Sequence, residues 1–240
     1  MRVGSLFSGI GGFDLGLERA GFEIAWQVEN NDYCRRVLKK HWPAVPCHYD
    51  IKTIDWRNIP PVDLVCGGFP CQDISNLHQY GKGIGGPQSG LWREFERCIR
   101  ILKPSWVLIE NVASLRKKGL GEVIGDHWAL GYDAEWHCIP ACAVGAPHVR
   151  DRIWIMAYSD GKRQQACLSE RNFRASFPQR KAMESSRPSY GDFPAWNPTE
   201  PNVGRVAHGV SHRVDRLRGL GNAVVPQVVE AWGRIVKEAR

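Results

Sequence analysis

The chain has 240 residues, 43% of them hydrophobic and 24% charged, which predicts a globular protein with one sizeable domain and a small appendage. No apolar run approaches the roughly 18 residues that span a bilayer, so we expect a soluble intracellular protein rather than a membrane protein. The eight cysteines include no CxxC pair, so we expect reduced thiols rather than a disulfide-stapled scaffold. The formal net charge of +7 arises mainly in residues 205–240, which predicts that a polyanion binds the carboxyl-terminal third, although a basic solvated surface would give the same charge.

Strand and helix patterns alternate through residues 3–158. The apolar run at 3–7 opens into three glycines and then into a helical pattern that ends at Gly21, which predicts a strand, a turn and a helix. Further strands are predicted at 22–28, 62–66, 105–109, 132–139 and 152–158, and further helices at 32–41, about 90–102, about 120–130 and about 223–237. This alternation predicts an α/β fold with a mostly parallel sheet covered on both faces.

Four groups of residues directly follow predicted strands: Gly9 to Gly12, Glu29, Cys66 to Cys71, and Glu110 with Asn111. Ligands bind open α/β sheets beyond the carboxyl ends of the strands. We therefore expect these groups to share a site.

The composition changes at about residue 159. Ser, Arg, Pro, Gln and Asn dominate to about residue 204 without a strand or helix period. We interpret this segment as an inserted loop-rich module or a partly disordered region.

The glycine loop reads FSGIGGFD from Phe7 to Asp14, and glycines between a strand and a helix let a ligand approach the backbone. A nicotinamide-dinucleotide fingerprint has a third glycine at the position that Asp14 occupies here. This difference argues against a dinucleotide-binding site. Glu29, at the end of the second predicted strand, is placed to accept hydrogen bonds from the ribose of an adenosine-type cofactor. Two alternatives to a cofactor site are that the glycine loop is only a tight turn and that Glu29 is exposed to solvent.

Cys71 lies in GGFPCQDIS at 67–75, just after a buried strand, and Pro70 stiffens the approach to it. Most cysteines are inert and buried, but a loop next to a cofactor pocket favours a reactive thiol. Glu110 is carried to the same sheet edge by the strand at 105–109. A nucleophile and an acid would then face one pocket.

A second cluster of potential ligands, His137, Cys138, Cys142 and His148, could be interpreted as a zinc site. Its spacing fits no common zinc module, so buried strand positions are the favoured interpretation and no metal is expected. Trp42 and Trp106 are similarly interpreted as core residues rather than stacking platforms.

Six motifs occur in a fixed order: FSGIGGFD at 7–14, Asp50-Ile51, GGFPCQDIS at 67–75, ENV at 110–112, APHVRDR at 146–152 and RLRGLGNAVVP at 216–226. In these motifs the chain resembles the DNA (cytosine-5) methyltransferase family along nearly its whole length. Two positions depart from the family pattern, because His148 stands where Gln is usual and Gln88 where Arg is frequent.

The resemblance implies a Rossmann-like S-adenosylmethionine-dependent methyltransferase fold. It implies that residues 1–158 form the catalytic and cofactor-binding domain, that 159–204 form a small target-recognition segment, and that 205–240 return to complete the cofactor site. For S-adenosylmethionine it implies contacts from Phe7, Gly9, Gly11, Gly12, Glu29, Asp50, Ile51, Pro70, Leu91, Asn222 and Ala223.

The implied reaction places a methyl group on carbon 5 of a cytosine in DNA. Carbon 5 becomes nucleophilic only after a thiolate adds to carbon 6, which is the role implied for Cys71. A protonated Glu110 would relieve charge at ring nitrogen 3, Arg152 would hold the carbonyl at carbon 2, and Asn111 would order the loop. The target base must leave the duplex stack, and the glycine-rich loop 72–90 is expected to close over it.

Double-stranded DNA is the implied partner, with a cognate restriction endonuclease as a further one, for a monomer in the cytoplasm of a bacterial or phage-infected cell. Two alternatives stay open: cytosine methylation in RNA, because relatives of this family act on transfer RNA, and a catalytically silent DNA-binding relative. Joint retention of Cys71, Glu110, Arg152 and Asn222 argues against the silent relative.

Overall fold

A computed structural model describes residues 1–70, 90–146, 148–159, 177 and 213–239. The predicted nucleophile Cys71, the predicted loop 72–90 except Gly90, and the predicted recognition segment 159–204 except Ser159 and Phe177 lie outside these residues.

The described residues form seven strands and seven α-helices, together with short 3-10 helices. The strands are β1 (Arg2–Leu6), β2 (Glu23–Val28), β3 (Cys47–His48), β4 (Leu64–Gly67), β5 (Trp106–Val112), β6 (Tyr132–Pro140) and β7 (Asp151–Ser159). The α-helices are α1 (Gly12–Arg19), α2 (Asp32–His41), α3 (Leu91–Leu102), α4 (Leu115–Lys118), α5 (Leu120–Ala129), α6 (Arg213–Asn222) and α7 (Pro226–Glu238). The 3-10 helices are Ile51–Thr53, Trp56–Asn58 and Ala141–Val144.

The strands form one sheet in the order β3-β2-β1-β4-β5-β7-β6. From β3 to β5 every neighbouring pair is parallel, whereas β7 is antiparallel to both β5 and β6. The chain winds outward in both directions from β1, so the carboxyl ends of β1, β2, β4 and β5 lie at one edge. This edge is called the carboxyl edge below.

Helices cover both faces of the sheet, and each face buries its own apolar cluster. On one face Trp26, Trp56, Trp92 and Phe95 are buried with side chains from β4, β5 and α5. On the other face α1 and α7 contribute a cluster that includes Phe13, Leu17, Val229 and Trp232, and the described Phe177 packs edge-on against Trp232. Burial of this apolar area is the main favourable contribution to folding.

Close contact between α1 and α7 depends on glycine. A Cβ built at Gly16 would lie 2.5 Å from the Pro226 carbonyl oxygen and 2.5 Å from Cβ of Val229. A Cβ built at Gly233 would lie 2.7 Å from Cβ of Ala20. The two helix backbones therefore approach more closely than any side chain at these positions would allow.

The structure confirms the predicted α/β class, the mostly parallel sheet and most of the elements. It differs at β5, which continues through Val112, so that Glu110 and Asn111 lie inside the strand rather than after it. The cause is pairing with β7, in which Glu110 faces Trp154 and Asn111 faces Ile153. Among the described residues, no helix is both long and apolar enough to cross a bilayer.

Candidate active site

The glycine loop turns sharply at the carboxyl edge. Phe7 has a φ of 52°, a left-handed conformation that is uncommon outside glycine, and Gly9 follows with a φ of 56°. A Cβ built at Gly9 would meet no atom of the described residues within 4 Å. The loop therefore presents bare backbone to open space at this point, as a close-lying ligand requires.

Glu29 fixes this loop to the end of β2. Its Oε2 accepts a hydrogen bond from the Gly9 backbone N–H (2.7 Å), and its Oε1 accepts one from the Asn31 N–H (2.8 Å). The side chain is 9% exposed, so the predicted solvent-exposed alternative is wrong. Each carboxylate oxygen can accept a further bond, which leaves capacity for a ribose hydroxyl.

A buried polar group that the sequence did not single out lies beneath the loop. Asp14 is fully buried and accepts hydrogen bonds from Nε2 of Gln27 (2.7 Å) and Oγ of Ser5 (3.1 Å), which joins α1, β2 and β1. Burial raises the pKa of Asp14 to about 6, against the lowering effect of these two hydrogen bonds.

Three further predicted cofactor residues belong to one apolar cluster. Ile51 is buried in it, and Phe7 and Leu91 pack against it. The 3-10 helix at Ile51 is held to α3 by Arg97, which donates to the carbonyl oxygens of Ile51 (2.8 Å) and Ile54 (3.2 Å). The carboxyl ends of β1 and β3 and the start of α3 therefore meet in this cluster.

Glu110 is a second acid that is buried at the carboxyl edge, to the same depth as Glu29. Its Oε1 lies 2.9 Å from Nε of Arg152, which stands on the neighbouring β7 opposite Val112. Burial raises the pKa of Glu110, and the positive charges of Arg152 and then Arg150 oppose that rise. The carboxyl group is therefore able to hold a proton nearer neutral pH than an exposed glutamate.

Asn111, the residue next to Glu110, binds the chain segment that follows β4. Asn111 donates from Nδ2 to the Phe69 carbonyl oxygen (3.2 Å) and accepts the Val112 N–H at Oδ1 (2.7 Å). A Cβ built at Gly68 would lie 3.1 Å from Oε2 of Glu110. Pro70, which ends this described stretch, is the residue before Cys71.

The segment at Ala223 and Val224 reaches the glycine loop from the α1 side. Val224 packs on Gly12, where a Cβ would lie 2.7 Å from the Val224 side chain. Arg150 donates to the Gly221 carbonyl oxygen (2.8 Å), which connects this segment to the residues before β7. The structure thus places Ala223 beside Gly11 and Gly12, whereas Asn222 is the exposed last residue of α6.

A cavity of about 660 Å³ opens on the α1 side of the loop, lined by Gly11, Gly12, Trp42, Arg150 and Ala223 among others. Trp42 is half-buried there and is not part of the core, so that prediction is wrong, whereas Trp106 is buried as predicted. Neither Glu110 nor Glu29 lines this cavity. The Glu110 carboxyl group and its charged partner Arg152 therefore lie outside the lining of this cavity.

The histidine and cysteine cluster does not assemble. His148 is exposed and Cys142 lies in a 3-10 helix rather than a strand. Within the described part of the chain, no three His, Cys, Asp or Glu side chains are grouped so that they could hold a metal ion.

Comparisons with known proteins agree with this architecture. A family model described as C-5 cytosine-specific DNA methylase matches residues 1–201. Type II methyltransferase M2.BsuMI of Bacillus subtilis (strain 168) is 37% identical over 166 residues, covering 65% of this chain and 42% of the relative. Type II methyltransferase M.HhaI of Haemophilus parahaemolyticus is 31% identical over 162 residues, covering 66% and 49%. The chain thus spans about half the length of the curated relatives it matches.

Two solved structures are similar in fold. A prophage-encoded protein of E. coli, assigned as a DNA modification methyltransferase, matches with a TM-score of 0.57 at 25% identity, covering 67% of this chain and 47% of that chain. The methyltransferase EhMeth of Entamoeba histolytica matches with a TM-score of 0.57 at 22% identity, covering 66% and 52%. Both support the Rossmann-like methyltransferase fold.

Proposed function

Because this chain belongs to the C-5 cytosine-specific DNA methylase family, we propose that it transfers a methyl group from S-adenosylmethionine to carbon 5 of a cytosine in double-stranded DNA. The observation that carries the proposal is the buried Glu110 carboxyl group, held by Arg152 at the edge where Pro70 leads into Cys71. The type II methyltransferases among the relatives support DNA as the substrate.

The residues at the carboxyl edge fit S-adenosylmethionine. The open space at Gly9 leaves room beside the loop backbone, and Glu29 retains acceptor capacity for a ribose. We assign the apolar side of the proposed cofactor site to Phe7, Ile51 and Leu91. Gly11, Gly12, Asp50, Pro70, Asn222 and Ala223 complete the proposed cofactor residues. When bound, S-adenosylmethionine supplies an activated methyl group, so the chain itself needs no metal for this chemistry.

The proposed nucleophile is Cys71. Its thiolate adds to carbon 6 of the ring, and the resulting enamine makes carbon 5 nucleophilic. After methylation a base removes the carbon-5 proton and the carbon–sulfur bond breaks, which restores the thiolate. Cys66 is a poor alternative, because it is fully buried in β4 and burial raises the pKa of its thiol well above the ordinary value.

Glu110 and Arg152 would act on the opposite side of the ring. Addition of the thiolate pushes electron density toward ring nitrogen 3, where a protonated Glu110 would donate its proton. Arg152, already oriented by Glu110 and by its bond to the Asp151 carbonyl oxygen (2.8 Å), would hold the carbonyl at carbon 2. The target base would have to rotate out of the duplex to reach these groups.

We also propose that residues 159–204 choose the target sequence, with Arg163, Arg171, Arg174, Arg180 and Lys181 contacting the DNA backbone, while residues 1–158 and 205–240 carry the chemistry. Replacement of 159–204 by the corresponding segment of a relative should change which cytosines are methylated. We further propose a cytoplasmic monomer that works beside a cognate endonuclease. The bacterial origin of the type II relatives supports the cytoplasmic location.

The test uses DNA in which 5-fluorocytosine replaces cytosine at random positions, so that no target sequence need be known. Elimination cannot occur at a fluorinated carbon 5, and the protein should stay bonded to the DNA after denaturation when S-adenosylmethionine is present. The same assay on fluorinated RNA tests the alternative substrate. A wild-type protein that methylates DNA but never forms this adduct would overturn the covalent mechanism.

Three variants locate the chemistry. Cys71→Ala should form no adduct, whereas Cys138→Ala, which removes a half-buried thiol from β6, should form it as wild type does. Glu110→Gln should slow adduct formation by roughly 100-fold or more, because an amide can donate a hydrogen bond but no proton. A Glu110→Gln protein with wild-type kinetics would remove Glu110 from the proton transfer.

A further inference from the structure

A group of three adjacent cations lies beside the candidate site and takes no part in the chemistry proposed above. Arg116, Lys117 and Lys118 belong to the short helix α4, which begins three residues after β5 ends at Val112. All three are exposed, while Leu115 at the start of the helix is fully buried and anchors it to the core. These three cations are called the α4 patch below.

The α4 patch is close to the carboxyl edge. At most about 3.6 Å of chain per residue separates Val112 from Arg116, so the patch begins within roughly 14 Å of the end of β5. Arg152 pairs with Val112 in the β5–β7 ladder, which puts the start of β7 at the same place. The patch and the Glu110–Arg152 pair therefore lie at one edge of the sheet.

Acids within the described part of the chain do not neutralise the patch. None of the three side chains takes part in an ion pair or hydrogen bond there. The next two acids along the chain, Glu122 and Asp126 of α5, are bound instead by Arg93, at 2.5 Å and 3.0 Å. Adjacent like charges repel one another, and folding gains nothing from keeping them together.

We infer that the α4 patch binds the phosphate backbone of the DNA duplex beside the target cytosine. This inference rests on the proposed function. A duplex offers one phosphate charge per about 1.7 Å of its axis, and release of its counterions favours binding of clustered cations. Phosphate contacts position a duplex without reading its sequence, so the patch would add affinity and orientation and leave target choice to other residues.

The experiment measures binding of the full chain to a labelled DNA duplex at several salt concentrations. The test variant is Arg116→Gln/Lys117→Gln/Lys118→Gln. The matched control, Arg19→Gln/Arg57→Gln/Lys103→Gln, removes the same charge from exposed positions elsewhere: Arg19 ends α1, Lys103 follows α3, and Arg57 lies in the connection into β4.

The slope of log affinity against log salt should become shallower by about 0.9 for each cation that contacts a phosphate, and so by about 2.7 if all three do. We expect at least about tenfold weaker binding of the test variant at low salt, with the same methylated cytosines and an unchanged kcat at saturating DNA. Single variants, each with a slope change of about 0.9 or less, provide the same measurement should the triple variant fold poorly.

A test variant with the slope of the control would overturn the inference, as would loss of affinity for RNA alone in a parallel titration. Trapping on 5-fluorocytosine DNA tests the proposed function independently of the salt titration that tests the patch. Wild-type protein that forms the adduct while the test variant keeps its slope contradicts the patch and leaves the proposed function intact. Wild-type protein that neither binds the duplex nor forms the adduct contradicts both.

Discussion

The Asn111 side chain donates a hydrogen bond to the Phe69 carbonyl oxygen, 3.2 Å away, and thereby joins strand β5 to the chain segment that follows β4. Phe69 is two residues from Cys71 and Asn111 is adjacent to Glu110. One buried side chain therefore connects the proposed nucleophile and the proposed acid.

Asn111→Asp should break this connection selectively. The aspartate keeps an acceptor for the Val112 N–H but has no donor for the Phe69 oxygen, and a buried unpaired carbonyl costs about 1–3 kcal/mol. We expect a loss of that size in the free energy of unfolding in urea and slower trapping on fluorinated DNA. Asn58→Asp, at an exposed side-chain bond to Asp55, is the control. Equal effects of the two variants would contradict this role of Asn111.

Glu29→Gln should weaken cofactor binding in two ways: it weakens the hydrogen bond to the ribose, and it loosens the glycine loop that Glu29 holds. Glutamine offers one acceptor oxygen, so it cannot serve both the Gly9 and the Asn31 N–H, and the charged acceptor for the ribose is lost. A hydrogen bond to a charged group contributes about 1.5–3 kcal/mol, which corresponds to a roughly 10- to 100-fold weaker Kd for S-adenosylmethionine in calorimetry. Glu23→Gln, at the exposed start of the same strand, should change nothing. Unchanged affinity in Glu29→Gln would remove that residue from the site.

Asp14→Asn should abolish one part of the pH dependence of stability. The folded pKa of Asp14, about 6, lies above its ordinary 3.8, so the folded protein binds this proton more tightly than the unfolded chain. The resulting stabilisation is fully present below pH 3.8 and is lost as the pH rises through 6, a change of at most about 3 kcal/mol. The wild-type protein should lose stability relative to Asp14→Asn over this range. Parallel curves for the two proteins would show that Asp14 does not titrate there.

Gly16→Ala should destabilise the protein, because its new methyl group would overlap the Pro226 oxygen and the Val229 side chain of α7. Overpacking of this kind costs about 1–3 kcal/mol. Gly125→Ala is the matched control in α5, where a Cβ meets no atom of the described part of the chain within 4 Å and alanine should stabilise the helix by about 0.5–1 kcal/mol. Thermal unfolding of the two variants should therefore shift in opposite directions. A shift upward in both would mean that α1 and α7 can separate without cost.

Local patterns were sufficient to predict much of this fold. Helix α2 runs from Asp32 to His41 as predicted, since Asn31 caps it by accepting the Cys34 N–H (3.0 Å) and three basic residues end it. The limits of β5 could not be predicted in this way. Pairing with β7, more than 40 residues along the chain, carries Glu110 and Asn111 into the strand. The two-residue β3 and the four-residue α4 are too short to show a period.

The candidate site likewise has parts that local sequence predicted and parts that depend on tertiary contacts. Motifs and their order indicated Glu110 and Arg152, because each motif concentrates its signal in a few neighbouring residues. Glu29 was indicated by its position at the end of a predicted strand. The Ser5–Asp14–Gln27 hydrogen bonds escaped prediction, since they join three elements and depend on the depth at which Asp14 is buried. Trp42 was misjudged for a related reason: its hydrophobicity is evident in the sequence, but its contact with Gly11 at a cavity wall is a tertiary property.

The packing of α7 on α1 determines when this protein can finish folding during its synthesis. The contact between Lys237 and Gly21 joins residues 216 positions apart. At translation rates of about 5–20 residues per second, α1 would leave the ribosome roughly 10–40 s before α7 arrives to cover it. During that interval Phe13 and Leu17 lack the α7 side chains, among them Val229 and Trp232, that complete their burial in the finished structure. The nascent chain therefore carries a partly uncovered apolar face that a chaperone can hold, and the core is completed only after α7 has been synthesised.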